Sequence, residues 1–162
     1  MNITNPTATG ATSNLTAGGT LTIGANTLSV GDVYEAEIQF VLVDASGSGA
    51  PTLTIEAQLN GSNTGGHVLA VSGTNGTYTG TVISRWVVYT TGASGTLMNS
   101  TNQKGTYLSG GFTRANIENS TGTVTSAIDT TASNTLELRM RMTTAVAGFT
   151  LTVVYGMIRK LN

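Results

Sequence analysis

The stretch Gly19 to Asp44, GTLTIGANTLSVGDVYEAEIQFVLVD, restricts what this chain can fold into more than any other. Its second half alternates. Tyr34, Ala36, Ile38, Phe40 and Leu42 fall on one face, and Glu35, Glu37 and Gln39 fall on the other, joined at the far end by Val41 and Val43. A period of two with one apolar face is the pattern of a half-buried β-strand. Ahead of it, Leu21 to Ile23 predicts a short strand, Gly24 to Thr27 a polar turn and Gly31-Asp32 a second turn, with Leu28 and Val30 dipping to the apolar side. The later strands have to pair with this one and cover its apolar face.

Those strands can be read in order. Thr52 to Leu59 turns Leu53, Ile55, Ala57 and Leu59 inward and Thr52, Thr54, Glu56 and Gln58 outward. It is flanked by loops at Ala45 to Ala50 and Asn60 to Gly66, the second opened by an Asn-Gly turn signal. His67 to Ser72 predicts a short strand, and Asn75-Gly76 a further turn. Thr77 to Thr91 carries bulk on both faces: Ile83, Val87 and Tyr89 on one, Val82, Trp86 and Val88 on the other. Such a strand is either central in the fold or covered outside by a partner. Gly92 to Gly95 turns the chain. Thr96 to Gln103 and Gly105 to Ala115 predict weaker strands broken at Lys104-Gly105, with Gly110-Gly111 as a bulge or corner. One short strand follows at about Thr123 to Ile128. Two clean strands close the chain: Leu136, Leu138, Met140 and Met142 alternate with Glu137, Arg139 and Arg141, and Phe149, Leu151, Val153, Tyr155 and Met157 alternate with Thr150, Thr152, Val154 and Gly156. The short link Thr144 to Gly148 predicts an antiparallel hairpin between them.

No segment keeps helical spacing over ten residues. Some eight to ten strands, with turn signals every ~8–12 residues, predict an all-β, antiparallel jelly-roll sandwich over residues 19–162. The long opening and closing strands should then be neighbours. Residues 1–18 are polar, contain Pro6 and show no alternation. They read as an N-terminal arm, either a disordered terminus or an extended segment anchored on a neighbour or a larger assembly. Asn2, Ile3, Pro6 and Leu15 are the candidate anchors on it.

Composition narrows the function classes. Only 9% of the 162 residues are charged, against an ordinary ~25%, and Thr, Gly, Ser and Asn fill the deficit. The net charge of −1 provides no field for nucleic acid or an anionic membrane. No signal peptide or transmembrane run is expected in the polar N-terminus. So weakly charged a sheet protein suits burial in an oligomer or a larger particle. With no cysteine in the chain, there is no disulfide framework and no thiolate metal site.

Catalytic chemistry is not predicted. His67, the only histidine, follows Gly65-Gly66 with no acidic residue near it in sequence, whereas a general base needs an orienting partner and a metal needs converging ligands. Glu35 and Glu37 share a strand face, which suits ion pairs better than two carboxylates set across a cleft. Asp32, Asp44 and Asp129 form no DxDxD-like cluster for Ca²⁺. There is no GxSxG elbow and no phosphate loop. Neither an enzyme nor a cofactor is expected. Arg139 and Arg141 are expected to face Glu35 and Glu37 across strands, within a chain or between subunits, unless all four are simply solvated. Trp86, Tyr78 and Tyr89 could form a sugar-binding platform; packing in the core or at an interface, with Val88, is the other reading.

The run Ile23, Ala25, Asn26, Thr27, Leu28, Val30, Gly31, Asp32 resembles an I-x-A-N-T-L-x-V-G-D pattern of tailed-bacteriophage virion proteins, where it leads into the first long strand of a jelly roll. Many of those proteins have Pro where this chain has Gly24. The Thr/Gly/Ser/Asn-rich composition and the closing strand Phe149 to Lys160 are also similar to that group. The resemblance implies a trimeric capsid decoration (cement), head-fibre or tail protein, located in the virion and partnered by the major capsid protein or other virion proteins. It implies no catalytic residues. A tail-fibre module recognising host surface glycan is the alternative expectation.

Overall fold

The computed structural model of the chain describes residues 7–9, 14–45, 52–70, 76–110, 119–142 and 149–162. All regular structure among them is β. In chain order the strands are β1 (Thr7–Thr9), β2 (Asn14–Ile23), β3 (Val33–Asp44), β4 (Thr52–Leu59), β5 (Ser62–Ala70), β6 (Gly76–Thr90), β7 (Gly95–Gly110), β8 (Asn119–Ile128), β9 (Asn134–Met142) and β10 (Phe149–Lys160). They form two antiparallel sheets, one of six strands ordered β1-β10-β3-β6-β7-β8 and one of four ordered β2-β9-β4-β5.

The pairing is nested. β1 pairs β10, β2 pairs β9, β3 pairs β6 and β4 pairs β5. A long hairpin rolled up on itself produces this pattern, with its inner pairs shared between two facing sheets, and it is the connectivity of a jelly roll. The β7–β8 hairpin stands outside the nest and widens the six-stranded sheet beyond β6. As expected, β3 and β10 are neighbours, in register from Phe149↔Asp44 to Lys160↔Tyr34.

The core lies between the sheets. From β3 it takes Tyr34, Ala36, Ile38, Phe40 and Leu42; from β4, Leu53, Ile55, Ala57 and Leu59; from β9, Leu136, Leu138 and Met140. These are the inward faces that alternation marks. Val82, Trp86 and Val88 complete the floor of the six-stranded sheet.

Several expectations need correction. β9 and β10 do not form a hairpin: they belong to different sheets, because alternation identifies a buried face and not the strand beside it. The break at Lys104-Gly105 is absent, and β7 runs unbroken opposite the long β6. The loop at Asn60 to Gly66 shrinks to Asn60 and Gly61, both in the left-handed region (φ 51° and 77°), the geometry of a two-residue hairpin turn. Val30 is 65% exposed while Leu28 is buried. The boundary expected at residue 18 falls inside β2, since Asn14 to Thr16 already pair with β9. In β10 the register shifts between Val153 and Tyr155. Val153 points into the core, Val154 and Tyr155 both reach the surface, and Gly156 is buried. One extra residue reverses the face of everything after it.

Candidate interaction surfaces

The residues from Ile23 to Asp32 build a closed corner between β2 and β3. Asn26 adopts φ 58° and Gly31 φ 87°, conformations that Asn and Gly tolerate best. Thr27 Oγ1 donates to the Gly24 carbonyl at 2.7 Å, and Leu28 plugs the core. The Ser29 N–H donates to Asp32 Oδ2 at 3.0 Å while the Asp32 N–H donates back to the Ser29 carbonyl. The corner is stitched to its surroundings. Gly31 N–H donates to the Val88 carbonyl, Val88 N–H to the Asp32 carbonyl, and Asn26 N–H to the Thr130 carbonyl. Thr130 in turn exchanges hydrogen bonds with Gly92, its N–H to the Gly92 carbonyl and the Gly92 N–H to its Oγ1.

The C-terminus closes over the same corner. Lys160 Nζ lies 2.8 Å from Asp32 Oδ1. The Asn162 side chain accepts from Val33 N–H and donates to the Gly31 carbonyl. Burial alone would raise the Asp32 carboxyl, but the Lys160 hydrogen bond, the Ser29 N–H and the Lys160 charge outweigh it and hold it below its ordinary value. Asp32 also raises Lys160.

The outer face of the six-stranded sheet carries one ion cluster and a spread of apolar side chains. Glu35 is opposite Arg85 in β6 and Arg159 in β10. Arg85 Nη2 lies 2.7 Å from Glu35 Oε2, and Arg159 Nη2 lies 3.0 Å from Oε1. The two guanidiniums are about half exposed and cover the carboxylate, leaving its side chain 6% exposed. Burial pushes the Glu35 carboxyl up, and the Arg159 and Arg85 hydrogen bonds and charges more than reverse that, so it is held below its ordinary value. Glu37, two residues along the same face, accepts a hydrogen bond from Gln39. Tyr89, Val154, Tyr155 and Val43 are the large apolar side chains most exposed here, at 62%, 52%, 36% and 36%.

The outer face of the four-stranded sheet is different. Arg139 pairs with Glu137 at 2.7 Å and Arg141 with Glu56 at 3.0 Å, while Gln58 Nε2 donates to Glu56. No large apolar side chain stands exposed on its described residues. Glu35 and Glu37 therefore do not meet Arg139 and Arg141 within the chain. The two pairs sit on opposite sheets, and each glutamate or arginine cluster finds partners on its own face.

Trp86 and Val88 have no exposed surface; they are core, not surface contacts. The Trp86 indole N–H crosses the sandwich to Thr64 Oγ1 at 3.2 Å, and that hydroxyl donates to the Ala57 carbonyl. Tyr78 is 6% exposed and packs its ring on Phe40, so the three-aromatic sugar platform does not exist. Of those side chains only Tyr89 is at the surface. Ser84, Asn99 and Thr101 form a buried hydrogen-bonded set between β6 and β7, a feature that Thr- and Asn-rich strands conceal by looking like surface. Leu15 lies in β2 opposite Met140, and His67 lies in β5 opposite Ile55. Asn2, Ile3 and Pro6 fall outside the described residues. Arg85 and Tyr155 are the surface-forming residues that sequence reasoning misses, since the first depends on strand register and the second on the bulge.

Among the described residues no group of three or more His, Asp or Glu is placed to hold a metal ion, and no helix is long and apolar enough to cross a membrane. No protein-family model matches the chain, and no curated protein matches it.

Proposed function

We propose that the chain is a structural virion subunit, a capsid decoration or head-fibre protein that binds the phage head as a trimer and stabilises it. One observation carries the reading. The run that resembles phage virion proteins is not scattered through the fold: Ile23 to Asp32 is a single hydrogen-bonded corner that launches β3, the strand at the centre of a nested jelly roll. Asn26, Leu28, Gly31 and Asp32 each have a structural task there, which supports taking the resemblance as more than a chance string. The weak charge of the chain supports the same reading, because a subunit buried in a particle relies less on surface charge for solubility.

The test is co-sedimentation of the purified chain with heads of the phage that encodes it. Saturable binding, together with a raised melting temperature of the heads, supports the reading through mass action. Heads that neither bind the chain nor gain stability overturn it.

A further inference from the structure

The turn between β4 and β5 consists of Asn60 and Gly61, at φ 51° and 77°, and both are exposed. Asn-Gly is the dipeptide in which a side-chain carboxamide is lost most easily, because glycine has no side chain to shield its backbone nitrogen from the carboxamide carbon before it. The chain has two such dipeptides, Asn60-Gly61 and Asn75-Gly76. At Asn60 the carboxamide is held at both ends. Its Oδ1 accepts the Thr135 N–H at 2.7 Å, and its Nδ2 donates to Asn134 Oδ1 at 2.9 Å. The Asn60 N–H donates to the Thr135 carbonyl at 2.8 Å, so backbone and side chain together grip the start of β9. Asn134 is 1% exposed, and its Nδ2 donates to the Asp129 and Ala132 carbonyls at 2.8 and 2.9 Å. Those backbone partners fix the orientation of its amide. Its Oδ1 therefore faces Asn60, and only a donor fits there.

We propose that Asn60 is a guarded deamidation site: its bonds to β9 preserve the amide, and loss of the amide unfastens the β4–β5 turn from the β8–β9 loop. The reaction needs only water. The Gly61 nitrogen attacks Asn60 Cγ, a C–N bond forms, and Nδ2 leaves as ammonia with the proton that Gly61 gives up. Water then opens the five-membered imide at either carbonyl. One opening gives aspartate, the other an isoaspartate whose backbone runs through the former side chain. To reach the Gly61 nitrogen the carboxamide has to release its β9 partners, so the native fold slows the first step. The aspartate carries oxygen where Nδ2 was. That sets acceptor against acceptor at Asn134 Oδ1, and a buried acceptor left without its donor is costly. The isoaspartate adds a backbone carbon to a two-residue turn that sets the β4–β5 register. Neither product regains ammonia, so altered chains accumulate.

The purified chain suffices for the test, so head binding has no part in its outcome. Peptide mass spectrometry follows ammonia loss at mildly alkaline pH in the folded chain, in the chain unfolded by urea, and in folded Asn134→Ala. Asn75-Gly76 is followed in the same digests, and in urea the two dipeptides should react at similar rates. In the folded chain Asn60 should react at least about tenfold more slowly than in urea, because it reacts only through local opening. Asn134→Ala removes the acceptor of Nδ2 and should speed the folded reaction about fivefold, the worth of one hydrogen bond. If that variant does not fold, Asn60→Asp supplies the second measurement. It should accelerate amide exchange at Thr135 while Ile55, in the middle of β4, stays protected. Asn60 reacting as fast folded as unfolded, an Asn134→Ala chain that reacts no faster than the wild type, or unchanged exchange at Thr135 in Asn60→Asp overturns the proposal.

Discussion

Glu35 and Arg159 stand opposite each other in the β3–β10 register, their ion pair closing at 3.0 Å while Arg85 takes the other carboxylate oxygen from the β6 side. One acid thus clamps three neighbouring strands on their outer face. Because the carboxyl is held below its ordinary 4.5, it binds a proton more readily in the unfolded chain than in the folded one. Its stabilisation is therefore complete above about pH 4.5 and is lost as the pH falls through the lower folded value. Replacing Glu35 by Gln should cost about 1–3 kcal/mol at pH 7, because the half-exposed arginines can hydrate once their acceptor weakens. The same replacement should flatten the acid limb of the stability curve. Urea titrations at pH 7, 5 and 3.5 check both; equal wild-type and variant acid limbs would refute the clamp.

Part of this arrangement could be read directly from residues. The buried face of β3 from Tyr34 to Leu42 and that of β4 from Leu53 to Leu59 follow from side-chain period alone, because burial of one face is a local property of a strand. What β9 pairs with is not local. It depends on which sheet a short connection enters, and the alternation of Leu136 to Met142 is the same in either sheet. The site suffered more. Glu35 against Arg85 requires the β3–β6 register, and Tyr155 at the surface requires a bulge at Val154 that no residue type announces. Trp86 was legible as bulky, and with Val87 and Tyr89 beside it the strand read as central in the fold or covered outside by a partner; within the chain only the Trp86 face is buried, because the other is the outside of the sheet.

Phe40 lies directly across from Gly80, and a Cβ at Gly80 would sit 2.6 Å from Phe40 Cε1 and 3.0 Å from Tyr78 Cε1. Phe40 is 1% exposed, so its ring has nowhere to go. The absent side chain is what lets the ring lie over the strand. Gly80→Val should therefore destabilise by about 1–3 kcal/mol or more through overpacking, and Phe40→Leu should relieve part of that loss when combined with it. Denaturation midpoints of the two single variants and the double variant measure the coupling; simple additivity would disprove the contact as its source.

Trp86 is the only tryptophan, and it is fully covered with its indole N–H on Thr64 Oγ1. Its emission should be blue-shifted and resist iodide quenching until the chain unfolds. Trp86→Phe keeps most of the ring volume but leaves Thr64 without that donor and a gap beside it, for a loss of about 1–3 kcal/mol. Thr64→Val should shift the emission without exposing the indole. Emission typical of an exposed indole in the native chain would contradict the buried placement.

The corner between β2 and β3 should open as a unit when its C-terminal clasp is removed. Asn162 and the Leu161 N–H bridge Val33 and Gly31, and Asp32 holds Ser29 and Lys160 at once. Deleting Leu161-Asn162 removes hydrogen bonds without removing core, so its effect should be local. Amide exchange at Val33 should accelerate most, followed by Gly31 and Val88, while amides of Ile38 and Phe40 in mid-strand keep the protection of global unfolding. Asp32→Ala adds the loss of the Ser29 N–H acceptor and should speed exchange at Ser29 as well, which the deletion should leave slow. Protonating Asp32 should mimic the substitution. Its carboxyl is held below its ordinary 3.8, so the protection at Ser29 is present above that pH and is lost as the pH falls through the lower folded value. If deletion and substitution instead lower protection evenly across all strands, the corner is not an independent opening unit but part of the global fold.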